Sequence, residues 1–223
     1  MTDSSMSIQE TSIRDCVGPV AFHGMSGAFG EDAVISFGNG RATPVPCTSF
    51  SDALDAVLRG DVRWAVIPVW NSTVGRITSA CAELQRRRDA IQTVRYIDVP
   101  VKLCLVAAVE TTVDELRYVA SHPAALAQCK RLFARHSQLM ACEASDTANA
   151  ARQLAALITA ATARPAGSSL APWYAALPWS STRSLGAIAS ARAARRYRLV
   201  VLRENVQDNV TNFTRFAAVR RRE

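Results

Sequence analysis

Long apolar runs are absent from this sequence of 223 residues. No stretch approaches the ~20 consecutive apolar residues that cross a bilayer, so neither a membrane-spanning segment nor a membrane partner is expected. Residues 1–16 are polar and mildly acidic and lack the apolar core of a secretory signal. We therefore expect residues 1–18 to form a flexible tail. Apolar residues still make up 49% of the chain, which excludes a largely disordered protein.

Cysteine pairs with metal-binding or redox spacing are also missing. The six cysteines lie 13 to 34 positions apart, and no C-x-x-C pair occurs. Most of them fall within apolar, periodic segments, as core thiols do. This pattern argues against a zinc site and against a disulfide framework. We expect no metal, and reduced thiols in the core of a cytoplasmic protein.

Lysine is scarce: the chain has two, Lys102 and Lys130, beside 24 arginines, and its formal net charge is +7. Such a charge is compatible with nucleic acid, an anionic membrane surface or small anionic substrates as partners. A usage rich in arginine and alanine also arises from genomic base composition. The arginine clusters 86–88, 195–198 and 220–222 lie at predicted helix or chain ends and match no nucleic-acid-binding motif, so no nucleic acid partner is expected.

Short apolar runs alternate with helical patterns along the chain. The predicted strands are 19–23, 42–47, 64–69, 92–97, 99–109, 138–144, 187–189, 199–202 and 213–219, with a short helix and strand in 113–120. The predicted helices are 30–37, 51–59, 73–88, 123–136, 146–161 and 190–196, with Asp146 as an N-cap. This alternation is typical of α/β proteins with largely parallel sheets.

The alternating elements form two blocks that predict two lobes with a cleft between them. The first lobe takes residues 19–98 and 203–223, and the second takes 99–202. Residues 164–184 contain proline, serine and tryptophan without a clear period, which indicates an insertion. A surface loop explains this segment, and a lid or an oligomer contact stays open as an alternative.

Three glycines, Gly24, Gly27 and Gly30, follow the first predicted strand and precede a helix. Glycine allows the backbone to approach an anion, and a helix N-terminus supplies free N–H groups. The spacing is not that of the dinucleotide motif, and no acidic residue ends a clear second strand, so NAD is not expected. A tight turn without a ligand and a loop that lines a cleft both remain open.

Polar residues also stand where predicted strands meet helices. Asn71 and Ser72 follow a buried strand, where open α/β sheets bind ligands, although capping of the next helix explains them equally well. Ser121 is a candidate cap before His122 and Pro123, and Gln128 falls on the second helical turn. The helix start could hold a carboxylate. His122 is open to an acid–base role, or to a structural one.

The last predicted strand carries the polar motif Asn212-Phe213-Thr214-Arg215-Phe216. Alternation places Thr214 and Phe216 on one face and Phe213 and Arg215 on the other. A threonine and an arginine inside an otherwise apolar strand are unusual for a core element, and they indicate a function.

Taken in order, these motifs resemble the prephenate dehydratase family over residues 19–219. The segments that carry the resemblance are Val20-Ala21-Phe22-His23-Gly24, Gly27-Ala28-Phe29, Ile67-Pro68-Val69-Trp70-Asn71-Ser72, Val99-Pro100-Val101, Ser121-His122-Pro123 through Gln128-Cys129, Asp146-Thr147-Ala148, Ala187-Ile188-Ala189-Ser190 and Asn212-Phe213-Thr214-Arg215-Phe216. The resemblance implies two Rossmann-like α/β lobes similar to a type II periplasmic binding protein, with the active site in the cleft between lobes.

The family converts prephenate to phenylpyruvate with loss of water and carbon dioxide, a step of L-phenylalanine biosynthesis. The resemblance implies that no metal, redox cofactor or covalent nucleophile is needed. It implies Thr214 as the essential hydrogen-bond donor at the leaving hydroxyl. By the same resemblance, the catalytic group is Thr214, Asn71, Ser121 and Gln128. The implied substrate-binding group is Arg215, Phe216, Ser72, Gly27, Ala28 and His122, although bracing of the strand remains an alternative for Arg215.

Two positions depart from the family pattern. Trp70 stands where the family usually has Glu, and Gly30 stands where Ser or Thr is common. These departures leave two alternatives open: a paralogue acting on arogenate or a related cyclohexadienyl substrate, and a non-catalytic protein of the same fold that binds small anions. The +7 charge suits the attraction of a dianionic substrate.

The chain ends seven residues after Phe216. We expect a catalytic domain alone, without the ACT domain through which many relatives sense phenylalanine and without chorismate mutase helices. The resemblance also implies a homo-oligomer, either a dimer or a tetramer.

Overall fold

A computed structural model describes residues 18–160, 173–178 and 180–223. The predicted tail lies outside the described residues except for Gly18, which already begins the first strand. Backbone contacts divide the chain into two compact units. The first unit takes the residues up to Met25, Phe29–Pro100 and Asn212–Glu223, and the second unit takes Ser26–Ala28 and Val101–Thr211.

The described strands and helices follow the predicted alternation. The strands are β1 Gly18–His23, β2 Ala42–Cys47, β3 Trp64–Asn71, β4 Gly75–Arg76, β5 Ile91–Pro100, β6 Leu103–Ala107, β7 Tyr118–Ser121, β8 Met140–Glu143, β9 Leu185–Ser190, β10 Val200–Arg203 and β11 Phe213–Arg221. The α-helices are α1 Phe29–Phe37, α2 Phe50–Arg59, α3 Thr78–Arg86, α4 Pro123–Leu126, α5 Lys130–Arg135, α6 Thr147–Ala160 and α7 Ala191–Arg196, with a 3-10 helix at Thr182–Ser184.

The sheet of the first unit has the order β2-β1-β3-β11-β5, and β4 pairs with β3. Strands β1, β2 and β3 run parallel, because helices α1 and α2 cross over between them. Helix α2 begins where Ser49 Oγ accepts the Asp52 N–H at 3.0 Å, and it ends at Gly60, whose φ is 82°. Its buried side packs with β1, β3 and β11 into one apolar core.

The sheet of the second unit has the order β10-β6-β9-β7-β8. Helix α6 begins where Asp146 Oδ1 accepts the Asn149 N–H at 2.7 Å, which confirms the predicted N-cap. The core of this unit contains Leu154 from α6 and, from the predicted insertion, Trp173 and Tyr174. This part of the insertion therefore packs on the core instead of standing free, while 164–172 and Trp179 lie outside the described residues.

The expectation of α/β architecture in two blocks is confirmed, but the expectation of largely parallel sheets is wrong. In the first unit β11 lies antiparallel between β3 and β5, and in the second unit β6 is antiparallel to both β9 and β10. Strand β11 arrives from the second unit and not through a helical crossover, so nothing requires it to run parallel. Residues 203–211, which the sequence analysis places in the first lobe, belong to the second unit because β10 pairs with β6.

Two predicted helices are shorter than expected. The helix predicted at 73–88 begins at Thr78, because Gly75–Arg76 first turns back to pair with the end of β3. The helix predicted at 123–136 is broken into α4 and α5, and Gln128 lies in the break instead of on a second helical turn. Periodicity alone could not locate either interruption, since the apolar spacing continues across both.

The described cysteines, namely Cys47, Cys81, Cys104, Cys129 and Cys142, are free thiols. Burial raises the pKa of the Cys129 thiol to about 12, so this side chain behaves as a small apolar group. Within the described ranges, no helix is long and apolar enough to span a bilayer.

Shortening Leu154 tests the core of the second unit. Leu154 is fully buried in that core, whereas Leu157 on the same helix is only partly buried. We expect Leu154→Ala to lower the free energy of unfolding by about 2–5 kcal/mol, and Leu157→Ala to lower it by about half as much. Urea denaturation of both variants measures the difference, and equal losses would contradict the assignment of Leu154 to the core.

Candidate active site

Four polar side chains of the first unit meet where β3 ends and β11 begins: Asn71, Ser72, Asn212 and Thr214. We call this group the Asn71 cluster. Thr214 lies directly opposite Asn71 in the antiparallel pairing of β11 with β3. Asn71 and Asn212 are buried, with exposed fractions of 6% and 2%, so their amides need hydrogen-bond partners within the protein. At this end of the strand pair, hydrogen bonds within the protein therefore hold the polar groups in fixed positions.

The orientation of the Asn71 amide is determined by the backbone. Its Oδ1 accepts the N–H groups of Thr73 at 2.9 Å and Val74 at 3.1 Å. Because only the oxygen can accept, Nδ2 must point the other way, toward β11. There it lies 2.9 Å from Phe213 O and 3.0 Å from Thr214 Oγ1. The turn after β3 thus aims a pair of N–H donors at the motif that begins β11.

This orientation dictates what the Thr214 hydroxyl can do. Its oxygen accepts from Asn71 Nδ2, which carries no lone pair to receive a hydrogen in return. In the described part of the chain, the Thr214 hydroxyl hydrogen has no acceptor. Accepting a hydrogen bond polarises the O–H group and strengthens it as a donor. Thr214 is therefore prepared to donate to a bound molecule.

Ser72 and Asn212 hold the two strands in register. Asn212 Oδ1 accepts from Ser72 Oγ at 3.0 Å and also lies 3.0 Å from Asn71 Nδ2. The two N–H groups of Asn71 Nδ2 are shared among this oxygen, Phe213 O and Thr214 Oγ1. Ser72 Oγ in turn accepts the Phe213 N–H at 2.9 Å, and Ser72 N donates to Phe213 O at 2.9 Å. Ser72 is fully engaged in this network, so its observed contacts are structural.

Arg215 lies on the opposite face of β11 from Thr214, as the alternation predicts. Its guanidinium forms a bidentate ion pair with Asp98, directly opposite on β5, with both N–O distances at 2.7 Å. The hydrogen bonds from Arg215 hold the pKa of the Asp98 carboxyl below its usual value, and the carboxylate raises the pKa of Arg215. Of the two roles left open for Arg215, bracing of the strand is the one this pair supports.

Trp70, where the family usually has Glu, lies opposite Arg215 on the same face. Its ring lies 5.4 Å from the ring of Phe213, and the Arg215 guanidinium lies 5.9 Å from that Phe213 ring. The side chain is 38% exposed. Trp70 therefore extends an aromatic and cationic surface on the face away from Thr214. Phe216 shares the face of Thr214, but it is only 3% exposed and offers little surface to a substrate.

The cap predicted at Ser121 of the second unit is formed by His122 instead. Ser121 is fully buried and donates its hydroxyl hydrogen to Ile188 O at 2.7 Å, which ties β7 to β9. The cap of α4 is His122, whose Nδ1 accepts the Ala124 N–H at 3.1 Å. The prediction that Ser121 caps this helix is therefore wrong, because a hydroxyl on the buried strand points into the sheet. The His122 side chain is exposed, and Gln128 is half-buried.

The loop that carries Gly27 is tightly docked within the second unit. Gly27 has a φ of 95°, and a Cβ there would lie 2.9 Å from Ala193 Cα, so only glycine fits. Ser190 Oγ donates to Gly27 O at 2.7 Å while capping α7 through the Ala193 N–H at 2.9 Å. Tyr197 donates its hydroxyl hydrogen to Ser26 O at 2.8 Å. Close packing therefore explains why glycine stands at position 27.

Gly30, the second departure from the family pattern, is also explained by packing. A Cβ at Gly30 would lie 2.7 Å from Phe22 Cδ2, so a serine or threonine would require Phe22 to move. Ala28 is half-buried beside this region.

Two residues of the first unit that contact predicted site residues, Asn212 and Asp98, were not among the candidates named from the sequence. Asn212 completes the Asn71 cluster and could have been suspected, because it is the first residue of the polar motif and directly precedes β11. Asp98 had no local signal, since its partner Arg215 is 117 positions away in the sequence. Among residues 18–160, 173–178 and 180–223, no group of three His, Cys, Asp or Glu side chains could hold a metal ion.

The fold and the polar β3–β11 cluster can now be compared with known proteins. A family model described as prephenate dehydratase matches residues 20–223. This match covers both α/β units and the Asn71 cluster. The chain belongs to the prephenate dehydratase family.

Individual relatives agree with this membership. Arogenate dehydratase 1 of Petunia hybrida is 35% identical over 207 residues, which cover 91% of this chain and 42% of the relative. The chain thus spans less than half the length of this curated relative. A prephenate dehydratase from Arthrobacter aurescens, solved in complex with L-Phe, has a TM-score of 0.75 and 25% identity, covering 92% of this chain and 61% of that chain. A protein described as GqqA, a novel type of quorum quenching acylase, has a TM-score of 0.72 and 27% identity, covering 92% and 64%.

Removing the Asn71 amide tests the central role of the cluster in stability. Asn71→Ala leaves the Thr73 and Val74 N–H groups and the Asn212 oxygen short of partners. We expect the free energy of unfolding to fall by about 2–4 kcal/mol. Asn209→Ala is the matched control, because Asn209 is exposed and bonds only to Thr211, and it should cost about 1 kcal/mol or less. Urea unfolding decides, and equal effects of the two variants would contradict the prediction.

Proposed function

We propose that this chain catalyses the decarboxylative dehydration of prephenate to phenylpyruvate. The observation that carries the proposal is the Asn71 amide, which is oriented by backbone N–H groups so that the Thr214 hydroxyl is left as a donor. Membership of the prephenate dehydratase family supports the same reaction.

The reaction needs one strategically placed donor. Prephenate loses its ring hydroxyl group and its ring carboxylate: the C–O bond breaks toward oxygen, and the electron pair of the C–C bond to the carboxylate flows into the ring. One proton converts the departing hydroxide to water, and carbon dioxide leaves. Aromatisation makes the process favourable, so the difficulty lies in the poor leaving group. A fixed donor that stabilises the developing charge on the leaving oxygen lowers the barrier.

Thr214 is suited to be that donor without being a full acid. A threonine hydroxyl is too weakly acidic to give up its proton, so we assign it a hydrogen bond to the leaving oxygen, and the proton that converts hydroxide to water comes from solvent. The Asn71 amide strengthens this bond by donating to Thr214 Oγ1. Asn71 acts through Thr214 and positions it.

The structure supports substrate contacts by the other predicted residues to different degrees. Arg215 is bound to Asp98, so a substrate carboxylate would have to share its guanidinium. Ser121 has committed its hydrogen to Ile188 O and retains only acceptor capacity. Substrate contacts by Phe216, Ser72, Gly27, Ala28, Gln128 and His122 stay predictions.

Arogenate is the second candidate substrate, favoured by the name of the Petunia hybrida relative. Arogenate has an amino group in place of the keto group of prephenate and undergoes the same ring chemistry. The Asn71 cluster serves both substrates, because it addresses only the ring hydroxyl. Discrimination must therefore depend on residues near the side chain of the substrate.

Two further readings have weaker support. An acylase, as in the name of the GqqA relative, needs a nucleophile activated by a base. In the described residues, Thr214 is bonded to an amide donor and to no base. A non-catalytic anion-binding protein would use the same donor to hold its ligand, so turnover of a substrate is the property that separates it from a dehydratase.

Incubation with each substrate tests the proposed reaction. We expect purified protein to form phenylpyruvate from prephenate, and Thr214→Ala to lower kcat by about 10²–10³-fold, the usual cost of one charge-stabilising donor. Thr214→Ser keeps the hydroxyl and should retain most activity. Thr93→Ala, at an exposed threonine of β5, is the matched control. Wild-type protein no faster than Thr214→Ala on either substrate would reject the dehydratase reading, and faster turnover of arogenate would select the second candidate.

Replacing Trp70 by glutamate, the residue usual in the family, tests whether the Arg215 face of β11 contributes to the reaction. Trp70 lies on the face of Arg215, away from Thr214. We therefore expect Trp70→Glu to change kcat/KM for prephenate and for arogenate by less than about tenfold. A loss as large as that of Thr214→Ala would show that the aromatic face takes part in the reaction.

A further inference from the structure

A pocket of the second unit is lined by none of the predicted site residues, although Asp208 in its wall donates its backbone N–H to Gln128 O at 2.6 Å. Its volume is about 240 Å³, and it is formed between α5 and the segment that follows β10. Arg131 and Arg135 line it from α5, and Arg203 lines it from the end of β10. Leu132, Val206 and Val210 add an apolar part to the wall. We call it the arginine pocket.

The segment after β10 is held in a defined shape. Gln207, only 5% exposed, accepts the Leu103 N–H through Oε1 at 2.8 Å, and Val206 N donates to Leu103 O at 2.9 Å. Asn205 adopts a left-handed φ of 54°, an uncommon conformation for a residue other than glycine. The wall that carries Arg203 is thus fixed before any ligand arrives, which reduces the entropy lost on binding.

The three arginines have no carboxylate partner in the part of the chain that the structure describes. Asp208 lines the pocket, but its two oxygens accept the backbone N–H groups of Lys130 at 2.8 Å and Arg131 at 3.0 Å. The other acidic group in the wall, Glu204, forms no ion pair with any of the arginines. His136, also in the wall, faces Asp114 at 3.8 Å.

The fold gives no reason for this arrangement. Arg131 and Arg135 are four positions apart on one helix, a spacing that brings their like charges together and weakens the helix. Arg203 adds a third positive charge from another element. Some other arginines of the described chain are paired with carboxylates, as Arg87 is with Asp55 and Glu83, and Arg183 with Glu115. Glu204 and Asp208 also line the pocket but form no ion pair with these arginines, so a bound anion would supply the missing partner for the guanidinium groups.

We propose that the arginine pocket binds a small multivalent oxyanion, either a dicarboxylate or a phosphate. The planar guanidinium group donates paired hydrogen bonds that match both of these groups, so three of them favour an anion with more than one charge. The pocket is concave and has apolar wall residues, which suits a small molecule better than an extended polyanion. The assignment stands independently of the reaction proposed above.

Isothermal titration calorimetry of the whole chain in low-salt buffer at pH 7 tests this assignment, with inorganic phosphate and succinate as separate probes. We expect at least one of them to bind the wild-type chain, and the Arg131→Gln/Arg203→Gln double variant to bind it at least about tenfold more weakly, since each guanidinium supplies charge-assisted hydrogen bonds. Saturation by phosphate alone or by succinate alone identifies the class. Arg196→Gln, at an exposed arginine of α7, is the matched control and should leave the affinity unchanged.

The outcomes that would overturn the proposal are equally specific. The proposal is wrong if neither probe binds, or if the Arg131→Gln/Arg203→Gln double variant binds as tightly as the wild-type chain. An equal response to sodium chloride at matched ionic strength would reduce the effect to general screening. If duplex DNA or anionic vesicles bind through Arg131 and Arg203 while both small anions fail to bind, the arginines form a polyanion-binding surface and the proposal is wrong. Because the substituted arginines are exposed, unchanged thermal midpoints are expected to show that the variants remain folded.

Discussion

The Asn71 amide is the interaction on which the candidate site of the first unit depends. Its oxygen closes the turn after β3, and its nitrogen reaches across to β11, so one planar group joins the last parallel strand to the strand that returns from the second unit. Because an amide has a donor end and an acceptor end, satisfying one end fixes the other. The donor role that we propose for Thr214 follows from this geometry and does not require an unusual acidity.

The two faces of β11 serve different purposes. The Thr214 face meets Asn71, whereas the Arg215 face carries an ion pair with Asp98 beside Trp70 and Phe213. Because Arg215 is paired with the carboxylate of Asp98, its charge is balanced without a substrate. Ion-paired arginines such as Arg215 brace this fold, whereas the three that line the arginine pocket are those for which we propose a ligand.

Much of the fold was predictable, because burial imposes a period on each element. The continuous apolar runs of β1 and β3, the Asp146 cap of α6 and the alternation of β11 all follow from local chemistry. The break between α4 and α5, the short β4 and the antiparallel insertion of β11 do not. Each of these depends on a partner distant in sequence, for which local periodicity contains no information. For the same reason Thr214 and Asn71 were identified as candidates, but their mutual hydrogen bond was not.

The sequence by itself determined the class of architecture, the family to which the motifs belong and the residue types at the strand ends, because these depend on local composition and spacing. Only the tertiary structure decided which groups meet. It brought Asn71 to Thr214 across 143 positions and Arg215 to Asp98 across 117. It also buried the hydrogen of Ser121 in a strand contact and made His122 the helix cap. A hydroxyl or an amide becomes a donor or an acceptor only when its neighbours are fixed, and those neighbours come from other strands.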